Sequence, residues 1–169
     1  MCIRDRLYTH GYTKFMSRVK NAGIDGLILP DMSIEESKDY LKSAKKNNID
    51  TIFLVSPNTN NSRLKKIAKA STGFLYMVAV FGTTGVQTKI HKYTIDSIKN
   101  TKKIIGDKLP IGIGFGISTP NDVKKYVSVG VDAVIVGSAN LKIIENTPPT
   151  KLQKKITEYT KRLKRSTRM

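Results

Sequence analysis

The sequence predicts an α/β protein built on a parallel sheet. Two observations carry that prediction: short runs that are apolar at nearly every position, and amphipathic helices placed between them. Apolar runs of this length suit strands buried on both faces, as in a parallel sheet whose crossovers are helices. A third observation gives the direction of the ligand-binding end. The last two runs stop abruptly at glycine, at Gly114-Phe115-Gly116 and at Val136-Gly137-Ser138.

The elements follow in chain order. A leading helix carries Phe15, Val19 and Ala22 and ends at Gly23. The first strand is 26–29. Ser33 opens the next helix, with Glu36 three residues on as a capping box and an apolar stripe of Tyr40, Leu41 and Ala44. The second strand is 51–55. A helix from about Ser62 shows Leu64, Ile67 and Ala68 on one face, and the third strand is 74–80. A helix from about Thr94 presents Ile95, Ile98 and Ile104, and the fourth strand is 111–115. Thr119 caps the following helix, with Pro120 at its first position and Asp122 at its third. The fifth strand is 133–136. Ser138 opens a short helix to Glu145, and a basic helix runs from Lys151 towards Arg168. Strands thus recur every ~20–35 residues, the spacing of α/β units. Five parallel strands fit an open doubly wound sheet. They do not close an eight-stranded barrel, which takes about 250 residues.

Composition narrows the function classes. The chain has 169 residues, 39% hydrophobic and 25% charged, enough for one domain with a real core. No apolar run reaches the ~18–20 residues of a membrane helix. The start, Met1-Cys2-Ile3-Arg4-Asp5-Arg6, lacks the apolar segment of a secretory signal, so the cytoplasm is the expected compartment. One cysteine, Cys2, excludes an internal disulfide and a cysteine-rich metal site, and no metal is expected. The formal net charge of +17 raises nucleic acid as a partner. The lysines, however, alternate with apolar residues at helical spacing, and no recognition motif or aromatic platform accompanies them. They read as solvated helix faces.

Ligands of α/β proteins bind at the carboxyl ends of the strands. Here that rim is rich in glycine and hydroxyls: Asp31 after the first strand, Ser56 and Asn58 after the second, Gly82, Thr83, Thr84 and Gly85 after the third, Gly116 and Ser118 after the fourth, Gly137 and Ser138 after the fifth. Glycines let backbone N–H groups approach an anion, and the Ser138 helix would point its amino end at the same place. A phosphate monoester is the natural ligand; tight turns and close packing are what such glycines do otherwise. Phe115 is placed to cover a planar ligand, while Tyr76 suits either the core or the substrate. Asp31 is the one carboxylate directly at a strand end and has no acid–base companion. His10 and His91 read as surface residues.

Together these stretches resemble the tryptophan synthase α-subunit family. Gly26-Leu27-Ile28-Leu29-Pro30-Asp31 is similar to its fourth strand, and Ile52-Phe53-Leu54-Val55-Ser56-Pro57-Asn58 to its fifth. Gly73-Phe74-Leu75-Tyr76 with Gly82-Thr83-Thr84-Gly85 is similar to the sixth strand and its mobile loop. The two glycine-ended stretches are similar to the seventh and eighth. The resemblance runs from about Leu7 to Glu145. It implies a partial (β/α)8 TIM barrel, strands 4–8 with flanking helices.

The resemblance also implies an activity: retro-aldol cleavage of indole-3-glycerol phosphate to indole and glyceraldehyde 3-phosphate. The partner would be a β-subunit carrying pyridoxal phosphate in an α2β2 heterotetramer, with no cofactor in this subunit. Gly85, Gly116, Gly137 and Ser138 would hold the phosphate, Tyr76 and Phe115 would contact the substrate, Thr84 would serve loop closure, and Asp31 would lie near the partner interface. The family's catalytic glutamate and aspartate sit on and after its second strand, which has no counterpart here. The resemblance therefore implies a C-terminal fragment, inactive alone and prone to aggregate. Residues 1–6 fit no part of the pattern and read as a non-native leader before a single partial barrel domain over 7–169. Two other readings stay open: another phosphate-binding barrel enzyme of small-molecule biosynthesis, and a non-catalytic basic module for nucleic acid or for a β-subunit.

Overall fold

The apolar runs become parallel strands, and helices separate nearly all of them. The computed structural model describes residues 3–79 and 91–168. Within them the order is α1 (Ile3–His10), α2 (Tyr12–Asn21), β1 (Gly26–Ile28), α3 (Lys38–Lys46), β2 (Asp50–Ile52) and β3 (Leu54–Val55). Then come α4 (Asn61–Ala70), β4 (Leu75–Val78), α5 (Lys92–Ile105), a 3-10 turn (Gly106–Lys108) and β5 (Ile111–Gly114). The chain ends with α6 (Pro120–Val129), β6 (Ala133–Val134), α7 (Ser138–Glu145) and α8 (Pro149–Arg165). Hydrogen-bonded neighbours are β1 with β2, and β3, β4, β5 and β6 in that order. The chain divides into two compact units. One comprises Met1–Val55, Thr59–Tyr76 and Ile104–Pro110; the other Ser56–Asn58, Met77–Lys103 and Ile111–Met169.

In the first unit β1 and β2 pair in parallel, Gly26 with Asp50, Leu27 with Thr51, Ile28 with Ile52. Gly26 lets the two strands approach closely. A Cβ there would lie 2.9 Å from Ile52 Cδ1 and 3.0 Å from Asp50 Cβ. Tyr40, Leu64, Leu75, Leu7 and Met16 are buried in this unit. Tyr40 reaches across from α3, its ring edge-on to Phe53 at 6.1 Å and its hydroxyl donating to Leu27 O at 3.4 Å.

Two expectations are corrected here. The single strand expected over 51–55 is two strands, broken at Phe53. Residues 50–52 pair with β1, whereas the Phe53 carbonyl accepts from Tyr76 N–H at 3.0 Å. The chain changes partner at that residue, and alternation of side chains cannot reveal such a switch. The helix expected from Ser33 begins instead at Lys38. Glu36 N–H does donate to Ser33 Oγ at 3.3 Å. The Glu36 carboxylate, however, accepts from the Ser33 hydroxyl at 3.0 Å. Ser37 Oγ then donates to Ile34 O at 2.7 Å, and a serine hydroxyl competing for a backbone carbonyl closes a turn before the helix starts.

In the second unit β5 and β6 pair in parallel, Gly112 with Ala133 and Ile113 with Val134. All four β5 residues are buried, as a strand covered on both faces should be. Met77, Ala79, Ile98, Val123 and Tyr126 complete this core. Thr94, fully buried on α5, donates from Oγ1 to Ala79 O at 2.7 Å and so satisfies a carbonyl just past β4.

Candidate phosphate site

The second unit holds the two glycine-ended strand exits. Gly116 and Gly137 follow the carboxyl ends of two neighbouring parallel strands, β5 ending at Gly114 and β6 at Val134. The β5 exit turns sharply. Phe115 and Gly116 both have φ near +74°, the left-handed region. Glycine adopts it freely, whereas phenylalanine there is strained by about 1–2 kcal/mol. The turn directs Phe115 outward, with 42% of its surface exposed.

Downstream, the turn is fastened to α6. Thr119 Oγ1 accepts from Asp122 N–H at 3.1 Å, and Asp122 Oδ2 accepts from Thr119 N–H at 2.8 Å and Ser118 N–H at 3.2 Å. This is the capping box expected from Thr119-Pro120-Asn121-Asp122, with Pro120 opening the helix. Tyr159 on α8 donates its hydroxyl to Ser118 O at 2.7 Å. Burial, reinforced by the Asp122 charge, pushes the Tyr159 pKa up, so the hydroxyl stays a neutral donor.

At the β6 exit, Gly137 is the residue before α7 and no side chain caps that helix. The first amides of a helix have no partner within it, and their dipoles favour an anion. The space over Gly137 is open: a Cβ there would meet nothing within 4 Å. Asn140 Nδ2 donates to Val136 O at 3.1 Å and ties the first turn of α7 back to the strand exit. The unit also holds a cavity of about 590 Å³ lined by Val127, Val134, Val136, Asn140, Leu163 and Lys164; Gly116, Gly137 and Ser138 do not line it.

The second unit therefore brings Gly116 to the same sheet end as Gly137 and Ser138, with Phe115 beside them. Tyr76 belongs to the first unit, half-buried on β4, its ring 6.3 Å from Phe74 and its pKa raised by burial. Asp31, also in the first unit, is exposed in the turn after β1. Thr84 and Gly85 lie outside the described residues. Of the two histidines, His91 stacks on Tyr93 at 4.9 Å. Among the described residues no cluster of histidine, cysteine or acidic side chains could hold a metal, and no helix is long and apolar enough to cross a membrane. The sequence reading missed Tyr159. Its trace is an aromatic residue alone on the apolar stripe of a lysine-rich helix.

The sequence model of the family "Tryptophan synthase alpha chain" matches residues 1–168. The tryptophan synthase alpha chain of Thermococcus kodakarensis is 34% identical over 90% of this chain and 61% of its own length. That of Methanothermobacter thermautotrophicus is 41% identical over 82% of this chain and 50% of its own length. Solved structures agree. A tryptophan synthase complex from Pyrococcus furiosus superposes with a TM-score of 0.83 at 29% identity, covering 94% of this chain and 62% of that one. The α2β2 complex from the same organism gives 0.84 at 32% identity, with the same coverage. The chain thus spans between half and about three fifths of the length of these relatives. The likeness bears out the partial (β/α)8 barrel that the family resemblance implied. With a match along nearly its whole length and the strand order to go with it, this chain belongs to the tryptophan synthase alpha chain family.

Proposed function

We propose that this chain carries the phosphate-binding half of an α-subunit that cleaves indole-3-glycerol phosphate to indole and glyceraldehyde 3-phosphate in tryptophan biosynthesis. The observation that supports it most is the pairing of two strand exits, Gly116 and Gly137-Ser138, at one end of adjacent parallel strands, with open space over Gly137. Backbone N–H groups there would hold the phosphate, with Gly85 joining from the loop after the third predicted strand and Thr84 serving its closure. Phe115 and Tyr76 would meet the remainder of the substrate.

Retro-aldol cleavage breaks the bond between indole C3 and the glycerol chain. It needs one group to take the hydroxyl proton of that chain and another to protonate the indole carbon. The second unit offers no such pair on its anchored carboxylates: Asp122 is held by two backbone amides and Asp132 by Lys102 at 2.8 Å. A phosphate grip alone binds ground and transition states alike, so these 169 residues by themselves are inactive. The subunit would work in the cytoplasm without a cofactor of its own, against a β-subunit that carries pyridoxal phosphate, with Asp31 near that face. We read residues 7–169 as one partial barrel domain.

Titrating the chain with glycerol 3-phosphate, indole-3-glycerol phosphate and indole tests the reading. Both phosphate esters should bind, and Gly137→Val should weaken them at least tenfold while leaving indole affinity unchanged. No indole should form from indole-3-glycerol phosphate. Equal affinity for ligands with and without phosphate would overturn the site, and indole production would overturn the inactivity.

A further inference from the structure

We propose that Tyr159 is a positioning residue for the phosphate-binding turn: its hydroxyl, from α8, holds the Phe115–Gly116 backbone in the left-handed conformation that presents amide groups to the anion. The inference rests on the phosphate reading of the site. The Ser118 residue is gripped on both sides. Its N–H donates to Asp122 Oδ2 at 3.2 Å, and its C=O accepts from Tyr159 Oη at 2.7 Å. Ile117 before it is buried, and Gly114 O accepts from Ala79 N–H at 2.9 Å. Between those fixed points lie Phe115 and Gly116, both at φ near +74°.

A phenylalanine in that region persists only where its surroundings over-determine it. The Asp122 contacts are local, within four residues, and they move with the start of α6. Tyr159 is 41 residues away on another helix, so it fixes the turn against the rest of the unit. Tyr159 is 8% exposed, and the half-buried Ser118 carbonyl loses its donor when that hydroxyl is removed, which frees the turn to move.

Tyr159→Phe keeps the ring and removes the one hydrogen bond. Amide hydrogen exchange and ligand titration of the 169-residue chain read the result. Exchange at Ser118 and Thr119, whose N–H groups are bonded to Asp122, should rise at least tenfold, with α6 and α8 protection unchanged. The dissociation constant for glycerol 3-phosphate should rise five- to tenfold, and that for indole should not move. A merely structural role would lower protection throughout α6 and α8 and weaken both ligands alike, which would overturn the proposal; so would unchanged exchange at 118–119. If the unsubstituted chain does not bind glycerol 3-phosphate, the phosphate reading fails, while the exchange data still decide whether Tyr159 holds the turn.

Discussion

Two strand exits in this chain carry the same local signal, a hydroxyl residue followed three positions later by an acid, and they end differently. After β5, Thr119 and Asp122 exchange both bonds of a capping box, and α6 starts at once. After β1, Ser33 and Glu36 make only half of one. The Glu36 carboxylate takes the serine hydroxyl, and the helix waits until Lys38. Asp122 has the shorter side chain, which reaches two backbone amides, and Pro120 fixes φ in the helical range beside it. The Glu36 stem is one carbon longer, and Ser37 claims the Ile34 carbonyl that a continuing helix would use. A shared motif thus yields a rigid mount at one exit and, at the other, a turn that delays the helix and is tied to α4 by the Glu35–Arg63 pair. The rigid mount lies next to the candidate phosphate site.

The largest test of that difference removes the anchor of the first exit. Tyr40 is 1% exposed and holds α3 against β1 and Phe53. Tyr40→Ala should cost about 3–5 kcal/mol, as for other large aromatic truncations in cores. Denaturant unfolding measures the loss. Hydrogen exchange should show it in α3 and β1 while the amides of Ser118 and Thr119 keep their protection. Loss of protection at both exits together would make the two turns one cooperative structure and sink the distinction.

Next come the hydroxyls themselves. Thr119→Ala removes a cap with its reciprocal partner in place and should cost about 1 kcal/mol. Ser33→Ala removes half a box at an exposed turn and should cost less than ~0.5 kcal/mol. Equal costs would mean that the second bond of the box contributes nothing.

These cases mark what the residues could reveal. Thr119-Pro120-Asn121-Asp122 is legible because every determinant lies within four positions. The strand over 111–114 is legible because burial on both faces leaves its trace in composition. Phe53 is not, since an apolar residue at a change of sheet partner looks like any other strand residue. The late start of α3 depends on a competition between Ser37 and the backbone, whose outcome depends on geometry. The glycines of the candidate site announced themselves through position at strand ends. Tyr159 did not, because its contact spans 41 residues and no local pattern encodes it.

Ser37→Ala sharpens the comparison by removing that competitor. The Ile34 carbonyl then keeps only the long 3.4 Å bond from the N–H of residue 37 and can turn to Lys38 N–H, and alanine is the better helix former. The helix should extend backwards by several residues, seen as helical Cα shifts and slowed exchange at Lys38. Net stability should change by less than about 1 kcal/mol, because a buried hydroxyl bond is exchanged for a backbone one. An unchanged Lys38 amide would show that Glu36, not Ser37, delays the helix.

The smallest effect is electrostatic. Glu35 in this turn meets Arg63 at 2.7 Å and 3.0 Å, a bidentate pair with both side chains largely in water. The Glu35 pKa lies below its usual 4.5, first through a backbone hydrogen bond and then through Arg63. A depressed carboxylate stabilises the fold above its unfolded pKa, and that contribution is lost as pH falls through the folded value. The pair should therefore act fully at neutral pH and fade only below about 4.5, within the range where ordinary carboxylates titrate. Screening by salt and water leaves such exposed pairs almost neutral to stability. Glu35→Gln should leave the denaturation midpoint at pH 7 unmoved and make it slightly less acid-sensitive below pH 4.5. If the Ser33–Ser37 turn instead unravels in this variant, the ion pair to α4, rather than the serine hydroxyls, is what separates the first exit from the second.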